Sequence, residues 1–253
     1  MSIVLTLKLA LVPSIIGGVT LAGRKWGPEV AGWLSAFPVV SGPILLFIAI
    51  EQGASFAQTA ASSTFLAILA ALVFGLSYAW IATKHAWGVS LAGSFLCYFL
   101  AVVILNAFVI PLTLTIPVIL ILLAIAPRFY PTIALPEASL LPPRNDMGLR
   151  MAAGAILVLL VTHFSSRMGA HLSGLLAMFP VMTSVLTVFT HRQSGNAFAI
   201  YLLRGSVLGY YAFAGFCLVL ALMLPSFSIT ATFFAAFGVA AVIQVSSRSF
   251  LKR

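Results

Sequence analysis

The sequence predicts an all-α polytopic membrane protein, with about nine transmembrane helices arranged as two inverted repeats. Three observations support this fold class. Of the 253 residues, 62% are apolar and only 7% are charged, and the mean hydropathy is +1.17. A short string around a Phe-Pro pair occurs twice, and the basic residues fall almost entirely on one side of the predicted spans.

The duplicated string starts at Gly32 as Gly-Trp-Leu-Ser-Ala-Phe-Pro-Val and at Gly174 as Gly-Leu-Leu-Ala-Met-Phe-Pro-Val, 142 positions later. The same offset aligns Gly27 with Gly169 and needs no gap. Such self-similarity has to be recognised before a fold is assigned. We therefore interpret the chain as an internal duplication in which Gly27, Gly32, Gly169 and Gly174 permit close helix packing.

Each span needs about 20 apolar residues to cross a hydrocarbon core of about 30 Å. The predicted spans are 2–22, 28–50, 55–83, 87–104, 111–126, 148–165, 172–190, 196–224 and 229–245. The first resembles a signal peptide, but Lys8 interrupts it and the second half contains its counterpart, so we expect it to be retained. The sequence thus divides into a first repeat at 1–110, a connecting helix and cytoplasmic linker at 111–147, and a second repeat at 148–253.

The basic residues predict the orientation, because cytoplasmic loops carry an excess of Lys and Arg. One side receives Arg24, Lys25, Lys84, Arg128, Arg144, Arg150, Arg192, Arg248, Lys252 and Arg253. The other side receives only Lys8 and Arg167. We expect an external amino terminus, a cytoplasmic carboxyl terminus and a location in the bacterial inner membrane. The fifth span is the extra one, so matching spans are an odd number of crossings apart and the halves are inverted.

Pro38 and Pro180 lie about ten residues into spans two and seven, about 15 Å deep and close to the bilayer middle. A mid-helix proline removes an amide donor and displaces the carbonyl four residues earlier, here that of Leu34 or Leu176. Unpaired backbone is tolerated in a membrane only where it faces protein or a wet cavity, so the repeated break predicts a binding site. The alternative is a packing kink. It applies particularly to span seven, because span two has a second proline, Pro43, that span seven lacks.

Arg204 is the only basic residue well inside a predicted span, roughly 12 Å from its start. An unpaired arginine there costs about 3 kcal/mol, so we expect it to face a cavity and hold an anionic group, or else to snorkel to the interface. Its repeat partner is Ser62. The predicted substrate site comprises Phe37, Pro38, Ser41, Gly42, Ser62, Phe179, Pro180, Thr183, Ser184 and Arg204.

Glu51, His163 and His171 fall near the external ends of their spans. They are candidates for proton coupling, because histidine changes charge near neutral pH, and the alternative is ordinary interfacial residues. No carboxylate pair, activated nucleophile or histidine-rich centre is recognisable, so we expect no enzyme activity, metal or cofactor. The net charge of +9 is loop charge rather than a nucleic-acid signal.

The run from Ser173 to Pro180, followed by Leu203-Arg204 and Gly209, resembles the GlpM-type small inner-membrane proteins. That family has an A-G-L-x-P-x-F-P run and then an L-R-x-x-x-x-G-like run. The resemblance implies that each half corresponds to one small multi-span unit with Phe179, Pro180 and Arg204 as shared features. It implies little about activity.

The sequence favours a secondary carrier for a small anionic or zwitterionic solute, working by alternating access at a midplane site. The alternatives are a flippase for a lipid-linked substrate and a scaffold or assembly factor for envelope biogenesis. The expected partners are the lipid bilayer and a small-molecule or lipid-linked substrate, not nucleic acid. A homodimer is compatible with the sequence.

Overall fold

The computed structural model describes residues 3–108, 110–134, 146–165 and 169–252, with side chains left out at 3–11, 161–165 and 251–252. Every regular element in this part of the chain is a helix. The α-helices are α1 (Ile3–Trp26), α2 (Pro28–Ser35), α3 (Ser41–Gln52), α4 (Ala54–Leu66), α5 (Ile68–Ala82), α6 (Trp87–Asn106), α7 (Leu112–Ile125), α8 (Met147–Ser165), α9 (Ala170–Ala177), α10 (Val181–Ser194), α11 (Asn196–Met223) and α12 (Ile229–Ser247). Short 3₁₀ turns follow α7 and α12.

Six helical stretches in the described chain are long and apolar enough to cross a membrane. They are Ala54–Ala82, Trp87–Asn106, Leu112–Phe129, Ala170–Ser194, Asn196–Met223 and Ile229–Phe250. The first, fourth and fifth are mostly buried, whereas the other three expose most of their apolar surface. Large apolar side chains such as Val103, Ile121 and Phe234 point outward from these outer helices, as lipid contact requires.

The predicted boundaries coincide closely with the helices. The remaining predicted spans correspond to α1, to α2 with α3, and to α8. Where side chains are described, α3 and the Met147–Leu160 part of α8 are apolar helices, and both are shorter than a span. The structure therefore shows a helical protein with six helical stretches long and apolar enough to span a membrane in the described chain, while the number nine stays a prediction.

Both copies of the duplicated string interrupt their helices. The chain leaves α2 after Ser35 and resumes in α3 at Ser41, and it leaves α9 after Ala177 and resumes in α10 at Val181. Each proline removes an amide donor from its break. Pro13 and Pro117 lie inside α1 and α7 without interrupting them, so proline alone does not end a helix. The absence of a second proline in the later copy does not reduce that break to a kink.

The backbone of the two interruptions is bonded alike. The Phe37 amide donates to the Leu34 carbonyl at 3.2 Å, and the Phe179 amide donates to the Leu176 carbonyl at 2.9 Å. The residue after each proline then donates to the carbonyl of its phenylalanine, at 2.7 Å in both copies. The carbonyls that the prolines were expected to free thus accept hydrogen bonds within the chain, and Leu34 and Leu176 are not among the residues that line the central cavity.

Two of the four duplicated glycines permit close helix contact. At Gly32 an added Cβ would collide with the Leu202 carbonyl of α11, and at Gly174 it would collide with the Ala60 carbonyl of α4. The other two precede α2 and α9 as their N-cap residues, where an added Cβ would meet nothing within 4 Å. The prediction that Gly27 and Gly169 permit close helix packing is therefore wrong.

The main core lies where the inner helices meet. Helix α11 packs against α2 and α12, α4 packs against α9, and α5 packs against α6. Helices α1 and α8 pack on each other and contribute to a smaller apolar cluster with α10. This arrangement brings the two interrupted helix pairs together at the centre of the molecule.

Candidate functional site

The two helix interruptions line one small central cavity of about 40 Å³, which is room for a few water molecules. Its lining residues are Ser35, Ala36, Phe37, Val40, Ser41, Met178, Phe179, Pro180, Val181, Met182, Thr183, Tyr210 and Phe213. The structure thus brings together Phe37, Ser41, Phe179, Pro180 and Thr183 of the predicted site.

Hydroxyl groups from the two copies meet across this cavity. The Ser41 hydroxyl donates to the Ala177 carbonyl at 2.7 Å, and the hydroxyl oxygens of Ser35 and Thr183 lie 3.4 Å apart. In the 142-residue alignment, Ser41 matches Thr183 and Ser35 matches Ala177. The two contacts are therefore equivalent, each joining the start of one half-helix to the end of the half-helix in the other copy.

The last turns of α2 and α9 are held in an equivalent way. Gln244 of α12 donates its amide Nε2 to the Trp33 carbonyl at 2.8 Å, and the Tyr98 hydroxyl of α6 donates to the Leu175 carbonyl at 3.3 Å. Trp33 and Leu175 occupy the same place in the two copies. These carbonyls belong to helix ends, where groups without an intrahelical partner need another donor.

Aromatic rings support the cavity from the outer helices. Phe179 stacks on Phe95 with ring centroids 5.3 Å apart and meets Tyr98 edge-on at 5.5 Å. The duplication extends into these helices, because the Phe74 and Phe95 rings pair at 5.5 Å and the matching Phe216 and Phe237 rings pair at 4.8 Å.

Tyr210 is a polar lining residue that the predicted site did not include. It lies deep in α11 at 3% exposure, and its hydroxyl interacts with those of Thr183 and Ser206. Nothing in the local pattern of this largely apolar helix distinguishes Tyr210 from its neighbour Tyr211. The cavity lining therefore presents four hydroxyl groups and no formal charge.

Other predicted site residues lie outside this lining. Gly42 packs on Phe237. The Pro38 carbonyl, in the turn between α2 and α3, accepts a hydrogen bond from the Gly42 amide. Ser184 is buried and bonds to the Val181 carbonyl, and Ser62 donates to the Gln58 carbonyl within α4.

Arg204 is exposed on α11 and interacts electrostatically with Glu29 at the start of α2. The structure does not bring it to the central cavity. Its neighbour Gly205 lies against the Glu29 backbone, so the two helices cross at this point.

The proton-coupling candidates are placed differently from one another. Glu51 is exposed near the end of α3. The His171 ring bonds to the Ser63 hydroxyl at 2.7 Å and approaches the Leu105 carbonyl at 3.4 Å. The side chain of His163 lies outside the described residues. The proton-coupling role stays a prediction.

A second, larger cavity of about 440 Å³ lies at the end of the molecule that carries the turn between α1 and α2. Arg24, Lys25 and Arg150 line it, together with the polar side chains of Thr20 and Gln193. A small apolar cluster reaches from this cavity to the central one, because it includes Met182 at the central lining and both Leu186 and Leu202 at the basic lining.

A comparison with protein-family models, curated proteins and solved structures found no match. The resemblance to GlpM-type proteins therefore stays a hypothesis based on its motif. Within the described residues, no group of three or more His, Cys, Asp or Glu side chains is placed to hold a metal ion.

Proposed function

We propose that this protein is a secondary carrier for a small polar solute, with its central site at the paired helix interruptions. The observation that carries the proposal is the reciprocal contact across the cavity, from Ser41 to Ala177 and from Ser35 to Thr183. Interrupted helices that face each other around a cavity near the midplane are a recurrent device for binding a solute within a membrane.

The equivalence of the contacts supports an inverted repeat. When residue i of one unit meets residue j of the other, and j of the first meets i of the second, the units are related by a two-fold axis. The two hydroxyl contacts follow this rule. The donors to the Trp33 and Leu175 carbonyls come from the matching helices α12 and α6, at positions four residues apart in the alignment. With an odd number of crossings between matching spans, the axis lies in the membrane plane, and exchange of the halves exposes the cavity to either side.

The cavities support a carrier that is closed toward its basic end in this structure. The apolar cluster with Met182, Leu186 and Leu202 separates the central cavity from the larger one. Rocking of the halves opens this seal and closes an equivalent one on the opposite side. Because only hydroxyl groups supply polarity in the central lining, hydrogen bonding rather than charge pairing recognises the solute there.

The proposal is tested by the accessibility of the cavity from each side, which requires no knowledge of the solute. Cys97 and Cys217 are first replaced, and Ser41→Cys then places one thiol in the cavity lining. In sealed vesicles we expect a membrane-impermeant maleimide to label it from either side, because each conformation opens one entrance. Ser90→Cys is the matched control, since Ser90 is fully buried in α6 away from both cavities and stays unlabelled.

The alternatives give different outcomes. Labelling of position 41 by a lipid-anchored maleimide but not by the impermeant one favours the flippase. Protection from both sides, in a variant that remains folded, favours the scaffold. Either result rejects the carrier.

A further inference from the structure

The larger cavity carries an unbalanced positive charge. Arg24, Lys25 and Arg150 line it. Asp146 pairs with Arg24 at 3.1 Å and with Arg150 at 2.9 Å. Among the described residues, the three cations of the lining and this one carboxylate sum to a net charge of +2. Glu29 is not among the lining residues, and its charge partner, Arg204 of α11, also lies outside the lining.

Arg150 is the buried centre of this group. Only 4% of the residue is exposed, and Phe189 packs against its guanidinium at 5.1 Å. Nε donates to Asp146 at 2.9 Å, and Nη2 donates to the Gln193 side-chain oxygen at 2.8 Å. A guanidinium has five N–H donors in a planar fork, so these two bonds leave further donors for an anion.

The bond from Arg150 also orients the Gln193 amide. Its oxygen must face the guanidinium, because a flipped amide would bring two donors together. The amide nitrogen is then buried without a hydrogen-bond partner. The hydroxyl of Thr20, a residue that is 5% exposed and lines the same cavity, is buried without a partner as well. Native proteins seldom leave buried polar atoms unsatisfied, so these two atoms are available to hydrogen-bond a ligand or water in the cavity.

We infer that this basic cavity binds an oxyanion of the phosphate type, either free in solution or as the headgroup of an anionic lipid. Its volume is within the range of small-ligand pockets, about 300–1,000 Å³. A phosphate group offers several acceptors to the Arg150 fork, the Gln193 amide and the Lys25 ammonium. The inference does not depend on transport, since binding is measured on the isolated protein.

The test measures binding to the full chain in a neutral detergent. We expect titration calorimetry to show saturable binding of inorganic phosphate, with chloride at equal ionic strength as the reference. Gln193→Glu keeps the side-chain shape, gives Arg150 an ionic partner and places a negative charge in the cavity. Position 193 aligns with position 51 of the first copy, where the chain itself has a glutamate, Glu51. Phosphate affinity should fall at least about tenfold.

A pair of lysine variants separates a local effect from general charge. Lys25→Gln removes an exposed cavity cation, and Lys84→Gln removes an exposed cation outside the lining. Both change the net charge equally. We expect about tenfold weaker phosphate binding for Lys25→Gln and unchanged binding for Lys84→Gln.

The two sources of the oxyanion are distinguished in lipid nanodiscs. One outcome is that free phosphate does not bind, while phosphatidylglycerol raises the melting midpoint of the native chain by more than it raises that of the Gln193→Glu variant. In that case the ligand is a lipid headgroup. The inference is overturned if neither ligand binds, if Gln193→Glu binds as tightly as the native chain, or if the two lysine variants weaken binding equally. None of these outcomes bears on the accessibility of the central cavity.

Discussion

Replacement of Gly32 by alanine tests the helix crossing that brings the two copies together. The added Cβ would lie within 3.0 Å of the carbonyl of Leu202 and the amide nitrogen of Ser206, both in the backbone of α11. No flexible side chain can move aside. Gly174→Ala is the equivalent change, because its Cβ would meet the Ala60 carbonyl of α4.

The size of the effect follows from the separation that the extra atom demands. Ordinary contact of a Cβ begins near 3.4 Å, so α2 and α11 must separate by about 1 Å or more. Overpacking a well-packed core costs about 1–3 kcal/mol of unfolding free energy. We expect about 3 kcal/mol here, because the added Cβ meets backbone atoms, which cannot move aside as a side chain can. For a chain of this size, that corresponds to a fall of about 6–12 °C in the melting midpoint.

The assay is the fraction of detergent-solubilised protein that stays monodisperse after heating. Because membrane proteins commonly unfold irreversibly, all variants are heated at one rate. Gly238→Ala is the control, since an added Cβ there meets nothing within 4 Å and alanine favours a helix by about 0.5–1 kcal/mol. An unchanged midpoint for Gly32→Ala would refute the crossing, and an effect confined to one of the two glycines would refute their equivalence.

Three further predictions use the same heating assay. Tyr98→Phe leaves a buried carbonyl of α9 without its side-chain donor and should cost about 1–3 kcal/mol, whereas no change would mean that the bond is dispensable. Asp146→Asn removes the carboxylate shared by two arginines and should cost about 3 kcal/mol, and a loss below about 0.5 kcal/mol would contradict its bridging role. Gly195→Ala should cost about 1–3 kcal/mol because φ is 93° and ψ is 174°, a conformation that other residues rarely adopt; a neutral effect would contradict that geometry.

The helix boundaries were predictable from the sequence because their signals are local. Glycine and proline mark the ends, and long apolar runs mark the interiors. The repeated Phe-Pro pair also predicted where the helices are interrupted, because proline lacks an amide donor and the same pair occurs at matching places in the two copies. The fate of the nearby carbonyls was not predictable in the same way. Those of Leu34 and Leu176 accept amides three residues ahead, which depends on the turn that the chain adopts after the break.

The helical class, the internal duplication and most helix ends follow from the amino-acid sequence alone. Which side chains share a cavity depends on how the helices pack. A helix that is apolar over most of its surface has no clear hydrophobic stripe to indicate its inner face, so its rotation depends on the neighbouring helices. That rotation places Arg204 outside the central lining and Tyr210 within it. Helix packing also brings Arg150 of α8 against Gln193 of α10, 43 positions later in the sequence. No local sequence pattern predicts this contact.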